Sequence, residues 1–156
     1  MSAFSFLGDF DSSPLSGLSN FWRLENHDVP DAPGVYFLVA KPGVRVTYPT
    51  GTSPIYYIGQ ASSLRNRLLG HLDFTTHVRE NRRTTSPLYW RVYEYGGVHG
   101  GRYCYMRTWR GVTPKALEDI VLARFAKRYR AFPVANNAGA WNRVTWKNAQ
   151  SVRRTV

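Results

Sequence analysis

The segment YYIGQASSLRNRLLGHL, residues 56–72, joins a strand pattern to a helix pattern. Ile55–Gly59 is β-branched and aromatic, which favours a strand, and its closing glycine lets the backbone turn sharply. Ser62 or Ser63 can cap a helix, and leucine then recurs every four residues from Leu64 to Leu72. The segment therefore predicts a strand, a tight junction and a helix whose leucine stripe faces a core.

Two basic residues, Arg67 and His71, lie one turn apart on the predicted helix. The helical repeat places both along one edge of the leucine stripe, where a helix leaves the core and lines a cleft. On spacing alone, such a pair is more often a solvated helix edge. Two basic groups at the border of a core nevertheless indicate a phosphate ligand, and the rest of the chain bears on that choice.

Two tyrosine triplets, Gly34-Val35-Tyr36 and Tyr57-Ile58-Gly59, stand in this order in the chain. Arg67 follows the second tyrosine by ten residues, and His71 follows four residues later. With valine in place of the usual isoleucine, this arrangement resembles the signature of the GIY-YIG nuclease family. The resemblance covers residues 33–137 and implies an α+β single domain, with a small three-stranded antiparallel sheet flanked by helices. Twenty residues separate Tyr36 from Tyr57, more than the family commonly has, which indicates an insertion.

The composition fits one domain with a substantial core, since 43% of the 156 residues are hydrophobic and 15% are aromatic. The single cysteine, Cys104, excludes a disulfide framework, and the four scattered histidines have no zinc-site spacing. The start MSAFSFLGDFD lacks the basic and apolar regions of a signal peptide, and no run reaches membrane-spanning length. These features predict a cytoplasmic protein without a membrane partner.

The positive charge is concentrated in the body of the chain. The formal net charge is +11, but residues 1–31 hold one base against five acids, whereas residues 32–156 hold twenty bases against five acids. Arginine outnumbers lysine seventeen to four, which favours bidentate phosphate contacts and stacking on bases. The balance predicts a nucleic-acid partner, with DNA favoured and RNA not excluded; the competing interpretation is a basic ribosomal or chromatin-like protein.

The chain divides into an N-terminal arm (1–32), the domain that resembles the nuclease family (33–137) and a basic, aromatic C-terminal tail (138–156). The arm has no sustained periodicity, and it either packs on the domain or shields a basic surface with its acids. In the domain, the apolar run that begins at Gly34 predicts a central strand covered on both faces. Lys41–Pro54, rich in Gly, Pro and Thr, predicts a loop that joins the two signature strands into a long hairpin.

The second half of the domain is less regular until its last helix. Thr75–Pro87 is polar and poorly periodic, which indicates a surface loop or a frayed helix end. Leu88–Tyr95 fits either a strand or the short helix that the family has at this place, and we favour the helix. Tyr103–Arg110 alternates and predicts the third strand. Thr113-Pro114 begins a helix that continues to Arg130, with an inward stripe made of Leu117, Ile120, Val121 and Phe125.

One acid lies on the inward side of this last helix. The helical wheel places Glu118 between Leu122 and Phe125, whereas Asp119 points outward. An inward carboxylate needs a partner, which is either an arginine in a buried ion pair or a metal ion. The resemblance implies the second role and makes Glu118 the ligand of Mg²⁺ or Mn²⁺.

The resemblance also implies which residues carry the reaction. The predicted catalytic residues are Tyr36, Tyr57, Arg67, His71, Glu118 and Asn136. Asn137 remains an alternative to Asn136, and the general base is either Tyr36 or His71. Arginines in the insertion, the polar segment and the tail, together with one tyrosine and one lysine, are predicted DNA contacts: Arg45, Tyr48, Arg79, Arg82, Arg83, Arg143, Lys147, Arg153 and Arg154.

The predicted function is a metal-dependent DNA endonuclease, with a restriction or phage-defence role favoured and a homing-type enzyme or repair nickase as alternatives. The alternative from another class is a nucleic-acid-binding module of the same fold that has lost catalysis. A single domain with one site nicks one strand, so a double-strand cut predicts a homodimer on DNA.

Overall fold

The computed structural model describes residues 3–8, 15–81 and 101–136. These residues form an α+β domain with a four-stranded antiparallel sheet, a separate two-stranded sheet and two α-helices. The predicted segment Leu88–Tyr95 and the tail from residue 138 lie outside the described residues.

The strands and helices have the following bounds: β1 (Ser19–Asn20), β2 (Gly34–Val39), β3 (Val46–Tyr48), β4 (Gly51–Ser53), β5 (Ile55–Ala61), α1 (Leu64–Asn81), β6 (Arg102–Arg107) and α2 (Pro114–Tyr129). Three short 3₁₀ turns lie in the N-terminal region: Ser5–Leu7, Phe21–Arg23 and Asn26–Asp28.

Strand β2 is the centre of the larger sheet, whose order is β1-β6-β2-β5. It pairs with β5 from Gly34↔Ala61 to Val39↔Ile55 and with β6 from Gly34↔Arg107 to Val39↔Arg102. All six residues of β2 are buried, because the strand has a neighbour on each edge and packing on each face. The predicted central strand is confirmed.

The sheet has four strands where the sequence predicted three. The additional strand, β1, comes from the arm and pairs with β6 through Ser19↔Tyr103 and Asn20↔Arg102. Backbone bonds hold this part of the arm, including those from Ser16 N to Tyr105 O (2.8 Å) and from Phe21 N to Gly101 O (2.8 Å). Pairing of this kind needs no side-chain periodicity, so the sequence pattern did not indicate it.

The described part of the arm packs on the domain, as one of the two interpretations given above predicts. Phe4 meets Phe37 edge-on at 5.3 Å between ring centroids, and Phe6 meets Phe125 in the same way at 5.2 Å. The segment before β2 also supplies carbonyl acceptors for the first amides of α1, with Leu64 N donating to Ala32 O. The arm therefore contributes to the core and satisfies donors that a helix start leaves open.

The predicted loop Lys41–Pro54 contains the short hairpin β3–β4, with Val46 opposite Ser53. Its Tyr48 is buried, and the hydroxyl donates to Ile55 O at 2.8 Å and accepts from Val134 N at 3.1 Å. The insertion is thus tied to β5 and to the segment after α2.

Helix α1 begins as predicted and ends later than predicted. Ser63 is the cap, since its hydroxyl accepts from Asn66 N at 3.2 Å. The helix runs through the polar segment to Asn81, because Thr75 and Val78 extend the buried face and the Thr75 hydroxyl donates to His71 O at 2.6 Å. Of the two alternatives for Thr75–Pro87, a surface loop or a helix end, the helix end is the one that the structure has as far as residue 81.

Helix α2 begins at the predicted cap, where the Thr113 hydroxyl accepts from Ala116 N at 3.1 Å. Glu118 is 2% exposed, so its inward position is confirmed. Ile120, predicted to face inward, is 41% exposed, because the buried face turns to Leu122 and Ala123 instead.

Candidate active site

The centre of the candidate site is the cross-strand pair of Tyr36 on β2 and Gly59 on β5. A methyl group in place of the glycine hydrogen would lie 2.4 Å from Tyr36 Oη and 2.5 Å from Cζ. Since nonbonded carbon atoms do not approach so closely, only glycine lets the Tyr36 ring lie across this strand. The glycine of the second triplet therefore makes room for the tyrosine of the first.

Three rings meet at this point. Tyr36 Oη lies 2.6 Å from His71 Nε2, a short hydrogen bond between β2 and α1. The Tyr57 ring is 5.8 Å from the Tyr36 ring and 5.7 Å from the His71 ring, measured between centroids. The structure thus brings together three residues that the sequence predicted as one site.

Burial moves the two hydrogen-bonded groups apart in pKa. It raises the pKa of the Tyr36 phenol well above its usual value, and the neighbouring Tyr57 adds to the rise. Burial and the Arg67 guanidinium together lower the pKa of His71 to about 4. At neutral pH the phenol is therefore protonated and the imidazole is neutral, and the tautomer of His71 decides which of the two donates.

Two charged side chains act on Tyr36 from different helices. The guanidinium of Arg67 on α1 lowers the pKa of the phenol, and the carboxylate of Glu118 on α2 raises it. Both charges therefore lie close enough to influence the phenol. Four sequence-distant segments, β2, β5, α1 and α2, contribute to one site.

An open cavity of about 360 Å³ lies at the start of α1. Arg67 is exposed in its wall, whereas His71 reaches the wall with only 3% of its surface exposed. Tyr36 is fully buried, and among the described residues neither it nor Glu118 lines the cavity. The wall consists of Ala61, Ser62, Ser63, Asn66, Arg67, Gly70, His71 and Phe74.

Sequence reasoning missed Phe74, a phenylalanine that is 56% exposed in the cavity wall. Gly70, one turn earlier, has open space where a side chain would be. A signal was present in the sequence, because Phe74 lies off the leucine stripe and two turns after Arg67 on the same side. An exposed aromatic residue beside an exposed arginine is a stacking surface next to a cation.

The residues present fit a metal ion only in a limited way. Within residues 3–8, 15–81 and 101–136, no group of three or more His, Cys, Asp or Glu residues is placed to hold a metal ion. Glu118 alone offers a hard oxygen ligand, which suits Mg²⁺ or Mn²⁺ because such ions keep several waters and use one or two carboxylates. A zinc site of several protein ligands does not fit these described residues.

Asn136 has a place in the fold next to the site. Its side chain accepts from Ile58 N at 3.2 Å and donates to Ile58 O at 2.9 Å, and Ala135 N donates to Tyr56 O at 2.8 Å. These contacts cover the outer edge of β5 and fix the strand beside Tyr57. Asn136 thus acts on the site through β5, and Asn137 lies outside the described residues.

The predicted DNA contacts are in different settings. Arg45 is exposed and donates to the Thr52 hydroxyl and carbonyl at 2.8 and 2.9 Å. The guanidinium of Arg79 lies over the Trp22 ring at 4.6 Å. The buried Tyr48 has its hydroxyl in the contacts described above, which is a structural role and does not fit a DNA contact. The remaining six lie outside the described residues: Arg82, Arg83, Arg143, Lys147, Arg153 and Arg154.

No family model, no curated protein and no solved structure matches the chain. The resemblance to the GIY-YIG nucleases therefore rests on the motifs quoted above. No helix within the described ranges is both long and apolar enough to cross a membrane.

Proposed function

We propose that this domain hydrolyses phosphodiester bonds in nucleic acid, with DNA as the substrate. The observation that carries the proposal is the contact of Tyr36, Tyr57 and His71 at one point, with the charges of Arg67 and Glu118 acting on it. Three acidic or basic residues from two helices and two tyrosines from separate strands have no need to converge for folding alone. Their convergence beside an open cavity supports a reaction centre.

Arg67 binds the phosphate in this proposal. Its guanidinium is exposed in the cavity wall, carries a permanent charge and offers donors in the fork geometry that phosphate oxygens match. Attack on the phosphorus adds negative charge to the nonbridging oxygens. A fixed cation there stabilises the transition state more than the ground state.

The Tyr36–His71 pair handles the proton of the attacking water. As the phenol oxygen takes a proton from water, Tyr36 passes its own proton to Nε2 of His71, so that no free phenolate forms. The lowered pKa of His71 opposes this transfer in the free protein. A phosphate anion bound at Arg67 offsets the guanidinium charge that contributes to this lowering, so substrate makes His71 a better acceptor.

Glu118 would hold the Mg²⁺ or Mn²⁺ ion, which supplies charge neutralisation for the leaving oxygen when it is bound. The same carboxylate raises the pKa of Tyr36. Neutralising it therefore makes the Tyr36 proton easier to release. Tyr57, half-buried beside the other two rings, orients the phosphate through its hydroxyl.

Phe74 supplies a stacking surface for a nucleobase next to the bound phosphate. It is exposed on the same cavity wall as Arg67, and the missing side chain at Gly70 leaves room between them. Stacking tolerates any base, because every base has an aromatic face. A cavity with a cation and an aromatic wall suits one nucleotide unit of a strand.

The second candidate is a binding module of the same fold without catalysis. The full burial of Tyr36 favours it, since a water molecule has no contact with a phenol that is 0% exposed. Catalysis requires that substrate binding opens this contact. The two functions differ in whether the bound strand is cut.

The test is incubation of supercoiled plasmid with the protein, with Mg²⁺ or with a chelator, for the parent chain and Glu118→Gln. We expect Mg²⁺-dependent cleavage by the parent and a loss of at least about a hundredfold in Glu118→Gln, because the amide has nearly the same shape but lacks the charge that binds the ion. DNA affinity without Mg²⁺ should change less than twofold.

Glu80→Gln is the matched control, since it makes the same chemical change at an exposed residue of α1. It should cleave like the parent. If the parent and Glu118→Gln both bind DNA and neither cleaves it, the domain functions as a binding module. If Glu118→Gln unfolds while Glu80→Gln does not, Glu118 belongs to a buried ion pair and the metal assignment is wrong.

A further inference from the structure

A second cavity, of about 570 Å³, lies at the C-terminal end of α2. It is bounded by the arm, the β3–β4 hairpin and the helix end. None of the described residues that line it is acidic, and four of the eight carry positive charge. The lining residues are Phe6, Leu7, Gly8, Thr50, Arg124, Lys127, Arg128 and Arg130.

The guanidinium of Arg128 is held in place by neutral groups. Nη1 donates to Thr50 O at 2.8 Å, and the guanidinium lies 4.8 Å from the centre of the Tyr129 ring. The Thr50 hydroxyl in turn donates to Arg128 O at 2.7 Å. A carbonyl and a ring orient the cation without neutralising it, and contacts with the described residues use only part of its five N–H donors.

Arg124 also lines the cavity, and its Nη1 donates to Leu7 O of the arm. Two guanidinium groups of the cavity are therefore already ordered by backbone carbonyls, and Lys127, which lies between them in sequence, is exposed. Less conformational entropy is then lost when an anion binds.

Arg130 occupies a position that favours a different residue. It ends α2 with φ 59° and ψ 24°, the left-handed conformation in which glycine is preferred because other residues carry a steric penalty. An arginine here costs stability relative to glycine. Its presence in the cavity wall is therefore better explained by what its side chain binds than by how the helix ends.

We propose that this cavity is an anion subsite that takes a phosphate group of a nucleic-acid strand, separate from the candidate active site. Guanidinium pairs match phosphate oxygens, and each strand of a nucleic acid offers a phosphate at every nucleotide. Arg128 lies ten residues after Glu118 on α2, about 15 Å along the helix axis, and the described residues that line the two cavities are different. The subsite does not require hydrolysis.

The test is binding of a fluorescein-labelled single-stranded 20-mer and of its duplex, followed by anisotropy in a chelating buffer. The variant is Arg130→Gly with Lys127→Ala, which removes two charges and places the favoured residue at the helix end. We expect at least a tenfold loss of affinity for the strand, a salt dependence weaker by about two counterions, and an unchanged or raised Tm.

Arg23→Ala with Lys41→Ala is the matched control, because it removes one arginine and one lysine that are exposed elsewhere. It should lose less than threefold. If both double variants lose the same affinity for the strand, the loss reflects net charge alone, and the subsite is overturned. A lowered Tm with unchanged binding would also overturn it, because the two cations would then serve only the helix end.

Inorganic phosphate distinguishes the source of the anion. In the parent chain it should compete with the labelled strand more strongly than chloride at equal ionic strength, and this difference should vanish in Arg130→Gly with Lys127→Ala. If the phosphate effect is lost in that variant while strand affinity is unchanged, the subsite serves free phosphate groups, and its assignment to nucleic acid is overturned.

Discussion

In the free protein, the hydrogen bond between Tyr36 and His71 joins two neutral groups. Burial raises the pKa of one partner and lowers that of the other, so the neutral form of both is strongly favoured. A reaction that moves the proton must first change the charges around the pair. Arg67 and Glu118 are the two charges that a phosphate and a metal ion would neutralise, which links substrate binding to proton transfer.

The pKa of His71 predicts a specific loss of stability in acid. Its folded value of about 4 lies below the unfolded value of about 6.5, so the unfolded chain binds a proton that the folded chain does not. The free energy of unfolding should therefore fall as the pH drops from about 6.5 to about 4, by at most about 3 kcal/mol. Urea unfolding at a series of pH values measures this fall.

His71→Gln should lose this part of the pH dependence, because glutamine does not titrate. His77→Gln is the control, since it makes the same substitution at an exposed residue of the same helix. Equal profiles for the parent and His71→Gln would contradict the burial of a neutral imidazole.

Phe74 tests the proposed base-stacking surface at a single residue. Phe74→Ala should weaken binding of a short single strand by about 1–3 kcal/mol, whereas Phe74→Trp should keep or improve it, because stacking follows the aromatic face. Leu18→Ala, at another exposed apolar residue, should have no effect. An oligonucleotide without bases should bind parent and Phe74→Ala equally; a loss that persists there would show that Phe74 does not act through a base.

At the scale of the elements, the site contains two glycines that differ in the space around them. Gly59 on β5 lies under the Tyr36 ring, whereas Gly70 on α1 has nothing within 4 Å of the position of an added methyl group. Gly59→Ala should lower the free energy of unfolding by about 1–3 kcal/mol, because the ring must move. Gly70→Ala should raise it by about 0.5–1 kcal/mol, because alanine favours a helix interior.

Urea unfolding of both variants measures these opposite shifts. The Gly59→Ala chain should also lose the Tyr36–His71 hydrogen bond, which appears as a rise in the pKa of His71 by NMR once water reaches the ring. A neutral Gly59→Ala variant would mean that Tyr36 does not lie across β5.

The elements that carry apolar periodicity could be predicted from the sequence, and those held by backbone contacts or by polar groups could not. The strand at Gly34 and the inward position of Glu118 follow from simple repeats, and both are confirmed. Strand β1 is two residues long and is held by backbone pairing with β6, so it carries no apolar pattern. Helix α1 continues along a buried face that includes the polar Thr75 as well as Val78, so the apolar pattern is weak there.

The candidate site shows the same division. Its ring contacts join residues that the two triplets and the helix pattern indicated, and these the structure brings together. The helical repeat places Phe74 off the leucine stripe, but the open space beside it depends on how the whole of α1 lies on the sheet. Burial of Tyr48 likewise follows from the position of the hairpin, which local sequence does not determine.

The candidate site forms only when four elements of the domain, β2, β5, α1 and α2, have folded together. The central strand holds Tyr36, its neighbour supplies the gap at Gly59, and the two helices bring one charge each. Because the candidate site uses residues from Tyr36 to Glu118, a fragment that lacks any of these four elements does not contain the whole site. Binding and chemistry should therefore be lost together when the domain unfolds.

A domain with one such site should cut one strand at a time. Supercoiled plasmid should first become relaxed circle, at a rate proportional to protein concentration, and linear product should follow with a steeper dependence if two copies must meet. A restriction or phage-defence role requires that second step and discrete palindromic ends, which sequencing of the products detects.

Mixing the parent with Glu118→Gln sharpens the test of whether two copies must meet. Mixed pairs hold one competent site, so linear product should fall faster than relaxed circle as the variant is added. The opposite result is linear product that forms without a relaxed intermediate, at a rate first order in protein. It would show that one chain cuts both strands, which contradicts the prediction of one active site per domain.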